Sequence, residues 1–118
     1  MKVRDIAEVL KCEVLLGNDE MLDREVKTAC GSDMMSDVLA YVKNQSVLLT
    51  GLVNAQVIRT ADMMDMLCVV LVRGKRPTED MTGMAAERGI ALMTTDCGMF
   101  ETCGLLYEAG LSGGTIKG

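Results

Sequence analysis

The sequence predicts an α/β protein, a three-layer α/β/α sandwich built on a mainly parallel sheet of four or five strands. Three observations lead there. Apolar runs at Ser46–Thr50, Leu67–Val72 and Ile90–Thr94 each end in a short polar turn followed by an amphipathic stretch, and their last residues, Thr50, Val72 and Thr94, lie 22 positions apart each time. The runs are apolar throughout rather than alternating, as strands covered on both faces are. Strands that alternate with helices of about three turns imply parallel pairing with right-handed crossovers. At 118 residues the chain is one domain with enough length for a core. The domain is expected over 1–111, with 112–118, which contains three glycines, as a flexible tail.

Residues 3–10 place Val3, Ile6, Ala7, Val9 and Leu10 on one broad face of a short helix. Glu13–Leu16 reads as a short strand, and Gly17-Asn18-Asp19 supplies turn chemistry. This opening is expected to cover an edge or a face of the sheet. Glu25–Cys30 is weakly strand-like, and Ser32 and Asp33 after it can each cap a helix. A helix over Met34–Lys43 follows, with Met35, Val38, Leu39 and Val42 at helical spacing, and Asn44-Gln45 makes the return.

Beyond Thr50, the turn Gly51–Asn54 leads into a helix over Ala55–Asp65 with Val57, Ile58, Ala61 and Met64 inward. Beyond Val72, the turn Arg73–Arg76 leads into a helix that starts at Pro77-Thr78-Glu79-Asp80, with proline in the first turn and acids where the dipole favours them, and ends at Gly89. Beyond Thr94, a last helix over Met99–Ala109 is expected to bury Phe100, Cys103, Leu106 and Tyr107, with Gly110 as its cap.

Composition narrows the function. Nearly half the residues are apolar, but Tyr41, Phe100 and Tyr107 are the only aromatics, so the core is aliphatic and rich in the eleven methionines. A net charge of −5 argues against nucleic acid or an anionic membrane as partner. No apolar run approaches the ~20 residues of a membrane span, and the N-terminus lacks the apolar stretch of a signal peptide, so a cytoplasmic protein is expected. Five cysteines without C-x-x-C spacing and no histidine leave neither a zinc site nor a cofactor to expect. The missing histidine also removes the usual general base.

The strand-end turns are where a parallel sheet binds ligands. Arg73-Gly74-Lys75-Arg76 sets three cations beside free N–H groups before a helix, an anion site in the making, although solvated charges in an exposed turn would read the same. Ser32 and Asp33, Thr50, Gly51 and Asn54, and Thr94 and Thr95 complete a rim of small polar turns. Each could orient a ligand, and each could instead cap a helix. There is no G-x-x-x-x-G-K-[ST] and no G-x-G-x-x-G. The one nucleophile worth weighing is Cys97 beside Asp96, for which no base is evident.

With the rim in view, the chain resembles the DRTGG-domain family. Gly31-Ser32-Asp33-Met34-Met35-Ser36-Asp37-Val38-Leu39-Ala40 looks like that family's "SDxLSDVxA" segment. Leu48–Gly51, Val70–Pro77 with its acid-rich helix, and Gly89–Thr95 with Phe100-Glu101 are similar to other family segments in the same order. Where many relatives carry a Gly-Gly pair after the strand, this chain has Arg73-Gly74. The resemblance implies a fold similar to the N-terminal domain of HPr kinase/phosphorylase. It also implies the role of a regulatory or assembly module, as in proteins that carry such domains beside phosphotransacetylases, cobyrinate-synthase-like proteins or CBS-domain pyrophosphatases, and it brings no catalytic residues.

Two expectations follow. The first is a non-enzymatic module that senses a small anion, a nucleotide or phosphorylated metabolite, on the rim. The second is a homodimerisation or subunit-docking module without a ligand, within an anaerobic complex of hydrogenase or acetate and phosphate metabolism. The methionines at Met34-Met35 and Met63-Met64-Asp65-Met66 would then supply an adaptable surface.

Overall fold

A computed structural model describes residues 1–41 and 46–113. The expected helix end at Val42-Lys43, the return at Asn44-Gln45 and tail residues 114–118 lie outside them. Five strands form one sheet: β1 (Glu13–Leu16), β2 (Ala29–Gly31), β3 (Val47–Thr50), β4 (Cys68–Leu71) and β5 (Ala91–Thr94), in the order β1-β5-β4-β3-β2. The four strands β2 to β5 are parallel, and β1 closes the β5 edge antiparallel. Helices α3 (Met35–Tyr41), α4 (Ala55–Met63) and α5 (Glu79–Arg88) pack side by side on one face. Helices α1 (Val3–Leu10) and α6 (Met99–Glu108) pack on the other.

Strand residues alternate between two separate cores. Leu48, Val69, Leu71 and Leu92 meet Val57, Ile58, Ala61 and Met81 of the three-helix layer. Val47, Leu49, Cys68, Val70 and Met93 meet Ile6, Leu10 and Leu106 of the two-helix layer. Every residue of β3, β4 and β5 is buried, which is why the sequence shows unbroken apolar runs instead of alternation.

The helix starts follow from capping chemistry. The Asn54 side chain accepts from Gln56 N (2.9 Å) ahead of α4, and that of Thr78 accepts from Met81 N (3.1 Å) ahead of α5. Pro77 therefore precedes the cap of α5 instead of lying in its first turn. Gly89 closes α5 in the left-handed region.

Several details differ from the sequence reading. Asn18 caps a one-turn helix, α2 (Asp19–Leu22), where a turn was expected. Strand β2 is displaced to Ala29–Gly31, and Glu25 forms only an isolated bridge with Lys2. Leu39 is exposed instead of inward. On α6 the buried residues are Thr102 and Leu106, whereas Phe100 and Tyr107, expected in the core, are 93% and 76% exposed. Ala109 caps α6, and Gly110 follows it at positive φ. Ser112, assigned to the tail, donates to Lys27 O (3.1 Å) and accepts from Ala29 N (3.0 Å).

Candidate functional site

Register aligns the rim. Gly31, Leu49, Val70 and Met93 share one row across the parallel strands, and Thr50, Leu71 and Thr94 share the next. The turns after β2 to β5 consequently emerge side by side, with Asp33, Gly51, Arg73 and Asp96 each two residues or fewer beyond their strands.

At the β5 end, polar groups are consumed by the fold. The buried Thr94 hydroxyl donates to Lys75 O (2.7 Å), pinning the β4 turn. The Thr95 hydroxyl donates to Leu10 O (2.7 Å), satisfying a carbonyl at the end of α1, and accepts from Cys97 N (3.3 Å). Arg76 makes a two-pronged pair with Glu13 of β1 (3.0 and 3.2 Å), which holds the Glu13 carboxyl below its ordinary range. Lys11, Glu13, Gly74, Arg76, Thr94 and Asp96 line a recess of about 110 Å³ here, walled by charges of both signs.

The turn after β4 has unusual backbone. Arg73 and Gly74 both take positive φ, 57° and 67°, and Lys75 N donates to Val72 O (3.2 Å), the signature of a type I′ turn. Glycine suits both central positions, whereas an arginine at the first is strained by its Cβ. The turn is locked by Arg73 N to Cys97 O and Gly74 N to Thr95 O, both 2.8 Å. The Arg73 side chain crosses toward β3. Its guanidinium lies against Gly51, so closely that a Cβ at position 51 would collide with Nη2.

At the β2–β3 end, Ser32 makes the local turn, accepting from Met34 N through Oγ (3.0 Å). Asp33 reaches away to the next turn, and one carboxylate oxygen accepts from the Thr50 hydroxyl (3.0 Å) and Gly51 N (2.7 Å). The Gly51 amide, with help from Thr50, Arg73 and Lys75, holds the Asp33 carboxyl below its ordinary range against a smaller opposing effect of burial. Thr50 is fully buried and also accepts from Leu52 N (3.1 Å).

Ser32, Asp33, Thr50, Gly51, Arg73 and Lys75 thus converge on the β2–β4 half of the rim. Asn54, Arg76, Thr94 and Thr95 have side chains engaged in capping, ion pairing or turn closure. The tertiary reach of Asp33 is the feature that helix-start chemistry missed.

The cysteines are free thiols. Burial pushes Cys12 up to about 12 and also raises Cys30, Cys68 and Cys103. Cys97 is half-buried and serves the rim through its backbone N–H and carbonyl. Among the described residues no three His, Cys, Asp or Glu side chains gather as a metal site, and no helix is long and apolar enough to cross a membrane.

A mostly parallel sheet covered by helices on both faces, with a polar rim beyond its strand ends, defines an α/β/α sandwich domain. More narrowly, residues 5–109 match the DRTGG domain, and the chain belongs to the DRTGG-domain family. Among solved structures it is similar to the CBS and DRTGG domains of the regulatory region of Clostridium perfringens pyrophosphatase, complexed with the activator diadenosine tetraphosphate, at 13% identity and a TM-score of 0.73. That match covers 98% of this chain and 50% of the other, so this chain spans about half the length of its structural relative. No curated protein matches it.

Proposed function

We propose that this chain is a non-catalytic regulatory module that senses a small anion, a nucleotide or phosphorylated metabolite, on the β2–β4 half of its rim. The observation that carries this reading is Arg73. It occupies a left-handed position that glycine would fill without strain, and its guanidinium is laid over Gly51 at the neighbouring strand end. Lys11 and Asp65 take the same conformation at helix ends, but Arg73 takes it in a strand-end turn, where strained residues cluster at ligand sites. Lys75 adds a second exposed cation, and Gly51 N and the Thr50 hydroxyl add directed donors. The nucleotide bound to the regulatory region of the pyrophosphatase supports the same ligand class. A cytoplasmic location, as expected for such a sensor, belongs to the same reading.

Differential scanning fluorimetry with ATP, diadenosine polyphosphates, inorganic tripolyphosphate and sugar phosphates tests it. The expected result is a rise in melting temperature with a phosphate-bearing compound that disappears in Arg73→Gln/Lys75→Gln. No shift across the panel, or an undiminished shift in the double variant, counts against the rim.

A second reading, a homodimer or docking module, is favoured by one observation. Phe100 and Tyr107 stand exposed on α6, and Tyr107 borders an apolar recess of about 130 Å³ against β2. Light scattering should then show a dimer that Phe100→Ser/Tyr107→Ser dissociates. A monomer at high concentration removes the homodimer.

A further inference from the structure

The donors that would greet an incoming anion already hold one. Asp33 lies 17 residues from Thr50 in sequence, so its bonds to the Thr50 hydroxyl and Gly51 N–H are tertiary and do not cap its own helix, while Ser32 makes the local turn ahead of α3. The same carboxylate lies within electrostatic reach of Arg73 and Lys75, the two exposed cations of the adjoining turn. A hydroxyl donor, an amide donor and two cations around one oxyanion form the donor set that a phosphate or carboxylate ligand would use.

Resting on the rim reading above, we infer that Asp33 is a built-in competitor: an external oxyanion takes the Thr50 hydroxyl and Gly51 amide only by displacing the Asp33 carboxylate. Binding is thereby coupled to the turn that joins β2 to α3. Two anions cannot share one N–H and one O–H at hydrogen-bond distance, and their like charges oppose each other. With the carboxylate seated, the cations are already partly neutralised and the site is closed to weak ligands. With it released, Asp33 loses its tie to the β3 turn while Ser32 N stays bonded to Leu49 O (3.0 Å), so the residues between Ser32 and α3 are the ones free to shift. Occupancy is thus converted into movement of a surface element.

Isothermal titration of the full chain with ATP and, separately, inorganic tripolyphosphate tests the competition. Asp33→Asn keeps an oxygen for both donors and removes the charge. The expected result is about tenfold tighter binding by this variant than by the wild type. A gain for both probes identifies the phosphate chain as the recognised group, and a gain for ATP alone adds the nucleoside. Asp33→Glu, which keeps the charge, is expected to show no such gain.

Wild-type backbone amide resonances of Ser32 and Met34 should shift on saturation. Binding by Asp33→Asn alone, with none by the wild type, also supports the competitor. Equal or weaker binding by the variant, with wild-type binding intact, overturns the competitor and leaves the rim reading in place. No binding by either chain overturns both. If Asp33→Asn fails to fold, Asp33→Ser repeats the measurement with a smaller neutral side chain.

Discussion

The two halves of the rim are built from the same residue types and come to different ends. At the β1/β5 half, Thr94, Thr95 and Arg76 spend their hydrogen bonds on Lys75 O, Leu10 O and Glu13. These bonds lock the β4 turn, α1 and the antiparallel edge strand into place. At the β2–β4 half, Thr50, Gly51 and Arg73 are arranged around a single carboxylate brought in from another turn. Arg73 and Arg76 stand three residues apart, yet one forms a two-pronged salt bridge and the other accepts backbone strain. Polar residues at strand ends therefore do not by themselves mark a site. The halves differ in the partner: backbone carbonyls and the edge strand at one, a single carboxylate from another turn at the other.

The largest effect is expected at the β5 end. Thr95→Val keeps the shape of a side chain that is 2% exposed but leaves Leu10 O and Cys97 N without their partner. A loss of about 2 kcal/mol is expected in urea unfolding, with anion binding unchanged after allowance for the unfolded fraction. If stability is unaltered, the hydroxyl does not hold α1.

Gly51→Ala inverts that pattern. The new methyl meets only the far end of a flexible arginine, so unfolding should barely move, while expulsion of the guanidinium weakens tripolyphosphate binding by about tenfold in calorimetry. Unchanged affinity would place the ligand elsewhere.

Arg73→Gly sharpens the contrast between strain and use. Relief of the left-handed conformation, less the extra freedom glycine gives the unfolded chain, should raise stability by about 0.5–1 kcal/mol. The anion-dependent thermal shift should fall at the same time. A variant that is both more stable and equally responsive would remove the functional argument for the arginine.

The smallest effect is expected from Arg76→Ala, because its partner lies in open solvent. The Glu13 carboxyl is lowered by Arg76, so its contribution is fully present above its unfolded pKa, about 4.3, and is lost as pH falls through the lower folded value. The stability difference between wild type and Arg76→Ala should be small and flat from about pH 7 to 5 and vanish in stronger acid. A difference that grows toward acid pH would contradict the pairing.

The parallel core was legible because burial on both faces leaves an unmistakable mark: β3, β4 and β5 are fully buried and read as uninterrupted apolar runs. Elements at the margins were harder to read. Strand β2 has only three residues, and its neighbours Lys27 and Thr28 are polar, so propensity could not fix its limits. On α6 two faces satisfy helical spacing, one through Phe100 and Tyr107 and one through Thr102 and Leu106. The expected set mixed the two, since Leu106 and Cys103 do pack against the core whereas the larger Phe100 and Tyr107 do not, because spacing does not reveal which face meets the sheet. At the rim, the positions were readable from topology and the partners were not. The bond from Thr95 to Leu10 spans 85 residues, and a sequence signals no hydrogen bond at that range.

The two ends of the described chain meet at one short segment. Met1 O accepts from Val26 N (2.7 Å), while Ser112 exchanges hydrogen bonds with Lys27 and Ala29. A polypeptide laid out this way is entered and left within about two strand spacings, some 10 Å. Such a unit can be set into the loop of a larger protein without prising that loop apart. The junction also adjoins β2, so both ends of the described chain are tied to the strand that leads into the Asp33 turn.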